Sequence, residues 1–277
     1  MSIKDSLVQY QSNDSLPRLT YCLMSKVSVL SITYNDQHRI AEFVKSALCW
    51  ADECILCDKG SSDETIVIAR DLGATVIPIP FSQRGEEDSS WLATLPSYDW
   101  ILCMTPGDTV QPQLQEQIRD IVSSSSWRYP LVHLPVKVIS FGIFSIYSPW
   151  SIQSSPRLYN RLGVTVRNRV HDNFYHVPQS QRYHVAPARH NFIHHVTHSS
   201  AATFIPQHNE YAFSESRVLP PRSLYYAALK ELFRPHLVLR LSIKLRKHLH
   251  AWMLYQHMRA LYALEAMEKK SASAQHR

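Results

Sequence analysis

Apolar and polar positions alternate with a period of two along residues 26–34, Lys-Val-Ser-Val-Leu-Ser-Ile-Thr-Tyr, which predicts a strand. The period then changes. Ile40, Phe43, Val44, Ala47 and Leu48 recur at helical spacing, so a helix is expected from about 37 to 50, with Asn35-Asp36 as its cap. Cys54 to Cys57 reads as a second, apolar strand, followed by the acidic turn Asp58-Lys-Gly-Ser-Ser-Asp63, in which Gly60 permits tight backbone geometry. Ser62 or Asp63 can cap the periodic run 65–72, and Gly73 suits its C-terminal end. Residues 74–80 predict a third strand, placed at an edge or a strand end by its prolines. A short helix over 83–95 precedes an apolar fourth strand, 99–104, which stops at Thr105-Pro106-Gly107-Asp108. A helix over 113–123 and a strand over 131–140 follow. From 141 to 187 no period holds, and this region is expected to form loops around a site. A helical pattern returns over 223–270, broken at Pro235.

Strand and helix thus alternate four times, the pattern of an α/β fold with a mainly parallel sheet flanked by helices. Ligands in such folds bind beyond the carboxyl ends of the strands, so Asp58 is expected to face that crevice. An ordinary strand-to-helix turn with Asp58 as a capping acid accounts for the same local sequence.

With 277 residues, 45% hydrophobic and 10% aromatic, the chain has enough apolar material for one large domain or for a domain plus an appendage. Its five cysteines are an odd set lying mainly in apolar runs, and the first residues are polar and acidic, which points to reduced thiols in a cytoplasmic protein. Cys54 and Cys57 stand three apart on a strand and so face opposite sides, which argues against a redox pair. Charge changes the picture more. The net charge is +6, and from Arg217 onward twelve Lys or Arg stand against three acids, so the basic character lies in the C-terminal segment. Leucines, Trp252 and Tyr255 interleave with those cations, a pattern suited to the headgroup region of an anionic membrane, where each surface cation contributes about 1 kcal/mol. A helical hairpin with a solvated basic face has the same composition. No run approaches the roughly 20 apolar residues that span a bilayer, and no nucleic-acid signature accompanies the charge, so nucleic acid is not an expected partner.

Several motifs in fixed order carry a resemblance. They are Val27-Ser-Val-Leu-Ser-Ile-Thr-Tyr-Asn35, Trp50-Ala-Asp-Glu53, Asp58-x-Gly-Ser-Ser-Asp-x-Thr65, Leu72-Gly-Ala-Thr-Val76, Asp99-Trp-Ile-Leu, Pro156-Arg-Leu-Tyr159 and Val170-His-Asp172. His195 follows, with Tyr211 sixteen residues beyond it in the setting Phe204-Ile-x-x-x-Asn209-x-Tyr211. Over residues 26–215 this set resembles family 2 glycosyltransferases of the GT-A fold, a Rossmann-like architecture, and within them most nearly the subgroup with lipopolysaccharide-core β-glucosyltransferases.

Residues 1–24, polar and aperiodic, read as a flexible tail; the resemblance implies a GT-A domain (25–215), and the helical pattern and charge of 216–277 mark a basic, membrane-proximal C-terminal extension. It makes Thr33 and Asn35 part of a donor pocket, Asp58 the carboxylate for the nucleoside, Gly60 and Ser61 the compact turn beside it, and Arg84, after Gln83, the cation facing the diphosphate. Guanidinium and carboxylate chemistry suit these partners. It implies Asp172 as the base that takes the acceptor proton, with His171 orienting it or touching the diphosphate, and Arg157 and His195 on the acceptor side. Relatives usually carry Asp-x-Asp and a further acid after the fourth strand; here Thr105 and Gly107 replace two carboxylates and only Asp108 remains, as the expected ligand of a Mg2+ or Mn2+ ion. A plain β-turn is the other reading of those four residues. His184, His190, His194, His195, His198 and His208 match no metal-ligand spacing and are read as separate groups near the acceptor.

The function implied is an inverting transfer of a hexose from a nucleotide diphosphate sugar, expected to be a UDP-sugar, to a lipid-linked or cell-envelope glycan at the inner face of the cytoplasmic membrane. A non-catalytic nucleotide-sugar-binding or scaffold relative is the alternative, because the Asp-x-Asp is degenerate.

Overall fold

The computed structural model describes residues 26–81, 89–124, 127–140, 151–167 and 175–197, with 142, 144, 146 and 148. The first half runs β1 (Val27–Thr33), α1 (Ile40–Leu48), β2 (Glu53–Asp58), α2 (Thr65–Asp71), β3 (Thr75–Pro78), α3 (Ser89–Leu92), β4 (Trp100–Met104), β5 (Asp108–Val110) and α4 (Pro112–Ser123). The second runs β6 (Leu131–Ser140), β7 (Ile152–Asn160), β8 (Thr165–Val166), β9 (Tyr175–His176), β10 (Arg182–His184) and β11 (Ile193–Thr197).

Strands β3, β2, β1 and β4 lie side by side and parallel, and the sheet continues through antiparallel β7 to β6, which is parallel to β10 and β11; β5 closes the far edge against β11. The proline-bearing β3 is at the other edge, where missing N–H donors cost least. A mainly parallel α/β sheet is therefore observed, as the alternation predicts.

Alternation along the strands divides the core in two. Val29, Leu56, Leu102 and Val132 point to the face covered by Ile40, Phe43 and Val44 of α1, Ala69 of α2, and Leu114 and Ile118 of α4. Leu30, Ile55, Ile101 and Leu131 point to the other, against Leu92, Tyr159 and Tyr175. Burying side chains of this size contributes about 2 kcal/mol each. Cys54 belongs to the first cluster and Cys57 to the second, so the two thiols do face apart; burial pushes both up to about 12, far from thiolate reactivity.

Two expectations change. The first helix begins at Ile40, not 37, because Asn35 adopts a left-handed backbone (φ 53°) and Asp36–Arg39 form a turn instead. The aperiodic stretch 141–187 contains β7, a nine-residue strand in mid-sheet, besides the short β8, β9 and β10. Its half Ile152–Ser154 is exposed while Leu158 and Tyr159 are buried, so no alternation marks it. The tail 1–24, residues 82–88 and the basic segment 216–277 lie outside the described residues.

Candidate functional site at the carboxyl edge of the sheet

Parallel pairing sets Thr33, at the end of β1, beside Asp58, at the end of β2, and sets Ser31 beside Met104, the last residue of β4. The loops leaving these three ends therefore share one edge, the place where α/β folds bind ligands.

The first two loops are cross-tied. Asn35 N–H donates to Ser61 Oγ at 2.9 Å, and Asn35 Oδ1 accepts from Ser62 N–H at 2.9 Å. Asp36 N–H donates to Thr65 Oγ1 at 2.8 Å, and Gln37 N–H to Asp63 at 3.2 Å. The left-handed turn at Asn35 is what brings these donors across. Asp58 serves the second loop itself: one oxygen accepts from the N–H groups of Gly60 and Ser61 at 2.9 and 2.8 Å, and the other from Ser61 Oγ. Gly60 sits at φ 83°, where a side chain would be strained. Asp58 is thus a turn-capping acid, as one reading of the sequence has it. Its carboxylate retains acceptor capacity beyond these bonds.

Thr33 is buried, and its hydroxyl donates to Asp36 at 2.9 Å. Asp36 is also buried; it takes the Tyr34 N–H at 3.1 Å on the same oxygen, and Arg39 Nε on the other at 2.6 Å. This Asp36–Arg39 pair is a feature the sequence reading missed. The signal was present in the i, i+3 spacing of an acid and an arginine just past a strand.

The third loop is a closed β-turn, with Asp108 N–H donating to Thr105 O at 2.9 Å and Thr105 N–H donating to the Asp108 carboxylate at 2.7 Å. Asp108 is fully buried. One of its oxygens meets His195 Nδ1 at 2.6 Å; the other, besides Thr105, meets Arg157 Nη1 at 3.3 Å. Three elements deliver this cluster: β5 carries Asp108, β7 carries Arg157, and β11 carries His195 in register opposite Asp108. Burial alone opposes ionisation of Asp108, but Arg157, His195 and the Thr105 N–H together outweigh it and hold the carboxyl below its usual range. An ionised carboxylate only accepts, so His195 Nδ1 carries the shared proton.

A Mg2+ or Mn2+ ion needs oxygens with lone pairs turned toward it. Asp108 has both oxygens engaged by protein donors, and a cation brought to its remaining lone pair would have to share that carboxylate with the Arg157 guanidinium. Thr105 and Gly107 add no carboxylate, and among the described residues no three His, Cys, Asp or Glu converge on a cation site. Position 107 also has no room: a Cβ there would stand 2.4 Å from Val196 O. The donor set is a poor fit for the ion.

Of the residues singled out in the sequence, the structure brings Thr33, Asn35, Asp58, Gly60 and Ser61 together in the joined loops, and Asp108, Arg157 and His195 in the buried cluster. Arg157 and His195, expected on the acceptor side, contact Asp108. His184 lies elsewhere, stacked on His133 at 4.1 Å. Arg84, His171 and Asp172 lie outside the described residues, as do His198 and His208.

No family model matches the chain. It is 30% identical over 159 residues to an uncharacterized glycosyltransferase of Rickettsia bellii, covering 54% of this chain and 53% of that one. A second such protein, from Rickettsia typhi, is 29% identical over 156 residues, with 54% and 53% covered. The chain spans about half the length of the curated relatives it matches. Among solved structures, S. aureus TarS (residues 1–349) superposes with a TM-score of 0.45 at 13% identity, covering 89% of this chain and 92% of that one. Glucosyl-3-phosphoglycerate synthase from Mycobacterium tuberculosis, in complex with Mn2+, UDP and glucosyl-3-phosphoglycerate, does so with 0.32 at 18% identity, covering 47% and 49%. These superpositions are too loose to carry residue roles across.

Proposed function

We propose that the chain is a glycosyltransferase of the GT-A type that moves a hexose from a nucleotide diphosphate sugar, a UDP-sugar by preference, to a lipid-linked or cell-envelope glycan, with inversion. The observation that carries this reading is the convergence, at the carboxyl edge of one parallel sheet, of the tied loops after β1 and β2 with the Asp108–Arg157–His195 cluster after β4. The relatives named as glycosyltransferases support the reaction class.

In this reading Thr33, Asn35, Asp58, Gly60 and Ser61 form the nucleoside pocket, Asp58 accepting from the base or ribose with its remaining lone pairs, and Arg84 faces the diphosphate. The acceptor hydroxyl oxygen attacks the anomeric carbon as the bond from that carbon to the diphosphate oxygen breaks, which inverts the centre. Asp172 takes the hydroxyl proton, and the nucleoside diphosphate leaves with the bonding electron pair. His171 orients Asp172, and Arg157 and His195 wall the acceptor side. The divalent ion that the resemblance implies would rest on Asp108, whose carboxylate already accepts from Thr105, Arg157 and His195. Residues 25–215 form the catalytic domain, and the cations of 216–277 hold it on an anionic membrane surface inside the cell. Among the described residues no helix is long and apolar enough to cross a membrane. Transfer to a lipopolysaccharide core is the narrower reading within this proposal.

Thermal melting of the full chain with UDP-, GDP- and dTDP-sugars tests it, since a ligand of the folded state raises the midpoint. A rise with one nucleotide sugar is expected, and no rise with any of them rejects the proposal. Asp172→Asn should then abolish turnover with the rise retained; undiminished turnover removes Asp172 from its role. The second reading, a nucleotide-sugar-binding relative without catalysis, is favoured by Thr105 and Gly107. It predicts the same rise and no sugar release with any acceptor.

A further inference from the structure

The turn after β4 offers a single carboxylate, Asp108, already bonded to protein donors, yet a cationic side chain reaches it. From the Cβ direction of Gly107, Arg39 Nη1 is 3.4 Å away. Arg39 is fixed from behind, its Nε and Nη2 converging on one oxygen of Asp36 at 2.6 and 2.5 Å. Asp36 in turn is buried and held by the Thr33 hydroxyl and the Tyr34 N–H. The guanidinium therefore spans from the end of β1 to the end of β4, with Nη1 toward the turn and 40% of its side chain open to solvent.

We propose that Arg39 contacts the donor diphosphate and that the donor binds without a divalent cation, the guanidinium standing where carboxylate-held metal would otherwise supply positive charge. The inference rests on the nucleotide-sugar reading above. A leaving diphosphate needs positive charge beside it, and a guanidinium meets phosphate oxygens with planar, paired donors that hold their charge at any working pH. Asp36 orients that fork. Across the turn, Asp108 already has a cationic partner in Arg157 and a hydrogen-bond partner in His195, so no unpaired carboxylate calls for a metal or repels the phosphates. The packing at Gly107 keeps the position free of a carboxylate, which leaves the sector to Arg39.

Calorimetric titration of the full chain with UDP and with uridine, in chelator and then with Mg2+ or Mn2+, tests this. Equal UDP affinity in chelator and in metal is expected. Arg39→Ala should weaken UDP about tenfold or more, the worth of a charge-assisted contact, with uridine affinity unchanged. Arg39→Lys, which keeps the charge and loses the fork, should fall between. Because Arg39 also braces Asp36, a purely structural role would weaken uridine and UDP together, and that result overturns the proposal. A gain of about tenfold or more in UDP affinity on adding metal also overturns it while leaving the nucleotide-sugar reading intact. Failure of UDP to bind in either condition overturns this proposal and the UDP preference, and the nucleotide-sugar reading falls with it if no nucleotide sugar raises the melting midpoint either.

Discussion

His195 Nδ1 and the Asp108 carboxylate lie 2.6 Å apart as partners on adjacent antiparallel strands, with Arg157 closing the other oxygen at 3.3 Å. Asp108 is buried and Arg157 only 18% exposed, so removing the acid strands a guanidinium with little water to compensate. Asp108→Ala is expected to lower unfolding free energy by about 3 kcal/mol, read from the urea midpoint. A loss within the spread of surface substitutions would mean that the cluster is solvated in solution.

The same carboxyl sets an acid limit. Its folded-state value is lowered from 3.8, so its contribution is complete above that value and disappears as pH falls through the lower one. Urea midpoints of the wild-type chain should drop steeply below about pH 4, and those of Asp108→Asn less so.

His133 has the opposite chemistry with the same direction. Burial first, then His184 and Arg182, bring its imidazole down from 6.5 to about 4 against the opposing pull of the Ser154 backbone, and its ring nitrogens lie out of solvent. The unfolded chain takes up this proton below 6.5 while the folded one resists it, so stability falls as pH drops from 6.5 to about 4. His133→Gln should flatten that part of the pH profile; an unchanged slope would place the titration on another group.

Returning an acid to the turn should fail. Gly107→Asp puts a Cβ 2.4 Å from Val196 O, a backbone atom of β11 that cannot swing aside. Loss of several kcal/mol, about 3 or more, is expected in thermal melting, with no Mn2+-dependent gain in midpoint. A folded variant that binds Mn2+ would show the strand to be movable.

Asp58 carries two duties that one variant can separate. Asp58→Ala removes the acceptor for three donors in the turn and should cost about 2 kcal/mol. It should also erase the thermal shift given by a nucleotide sugar. A shift that survives, measured from the lower starting midpoint, would reduce Asp58 to its capping duty.

The parallel half of the sheet was legible because each strand there is a short apolar run followed by a turn residue and a helix with one apolar face; Ile40, Phe43, Val44 and Ala47 are buried as their spacing requires. β7 was not legible. Its exposed first half and buried second half depend on what covers each part, which a period-of-two reading cannot see. The site divides the same way. Asp58 and Gly60 announce a turn from local chemistry alone, whereas the meeting of Asp108 with Arg157 and His195 spans 49 and 87 residues and depends on the order of strands in the sheet. Arg39 was passed over because its partner Asp36 looked like a helix cap, and the left-handed residue that diverts the chain there is an asparagine, which tolerates that backbone without advertising it.

The cross-ties between the first two loops make them one opening unit. The amides of Asn35, Asp36, Gln37 and Ser62 are each bonded to a side chain from the opposite loop, so parting of the two loops frees all four together. The buried Asp36 amide should exchange only by that opening, and more slowly than the surface amides of Gln37 and Ser62. A ligand touching one loop would slow exchange in the other, and occupancy of the crevice would be readable at residues the ligand never reaches.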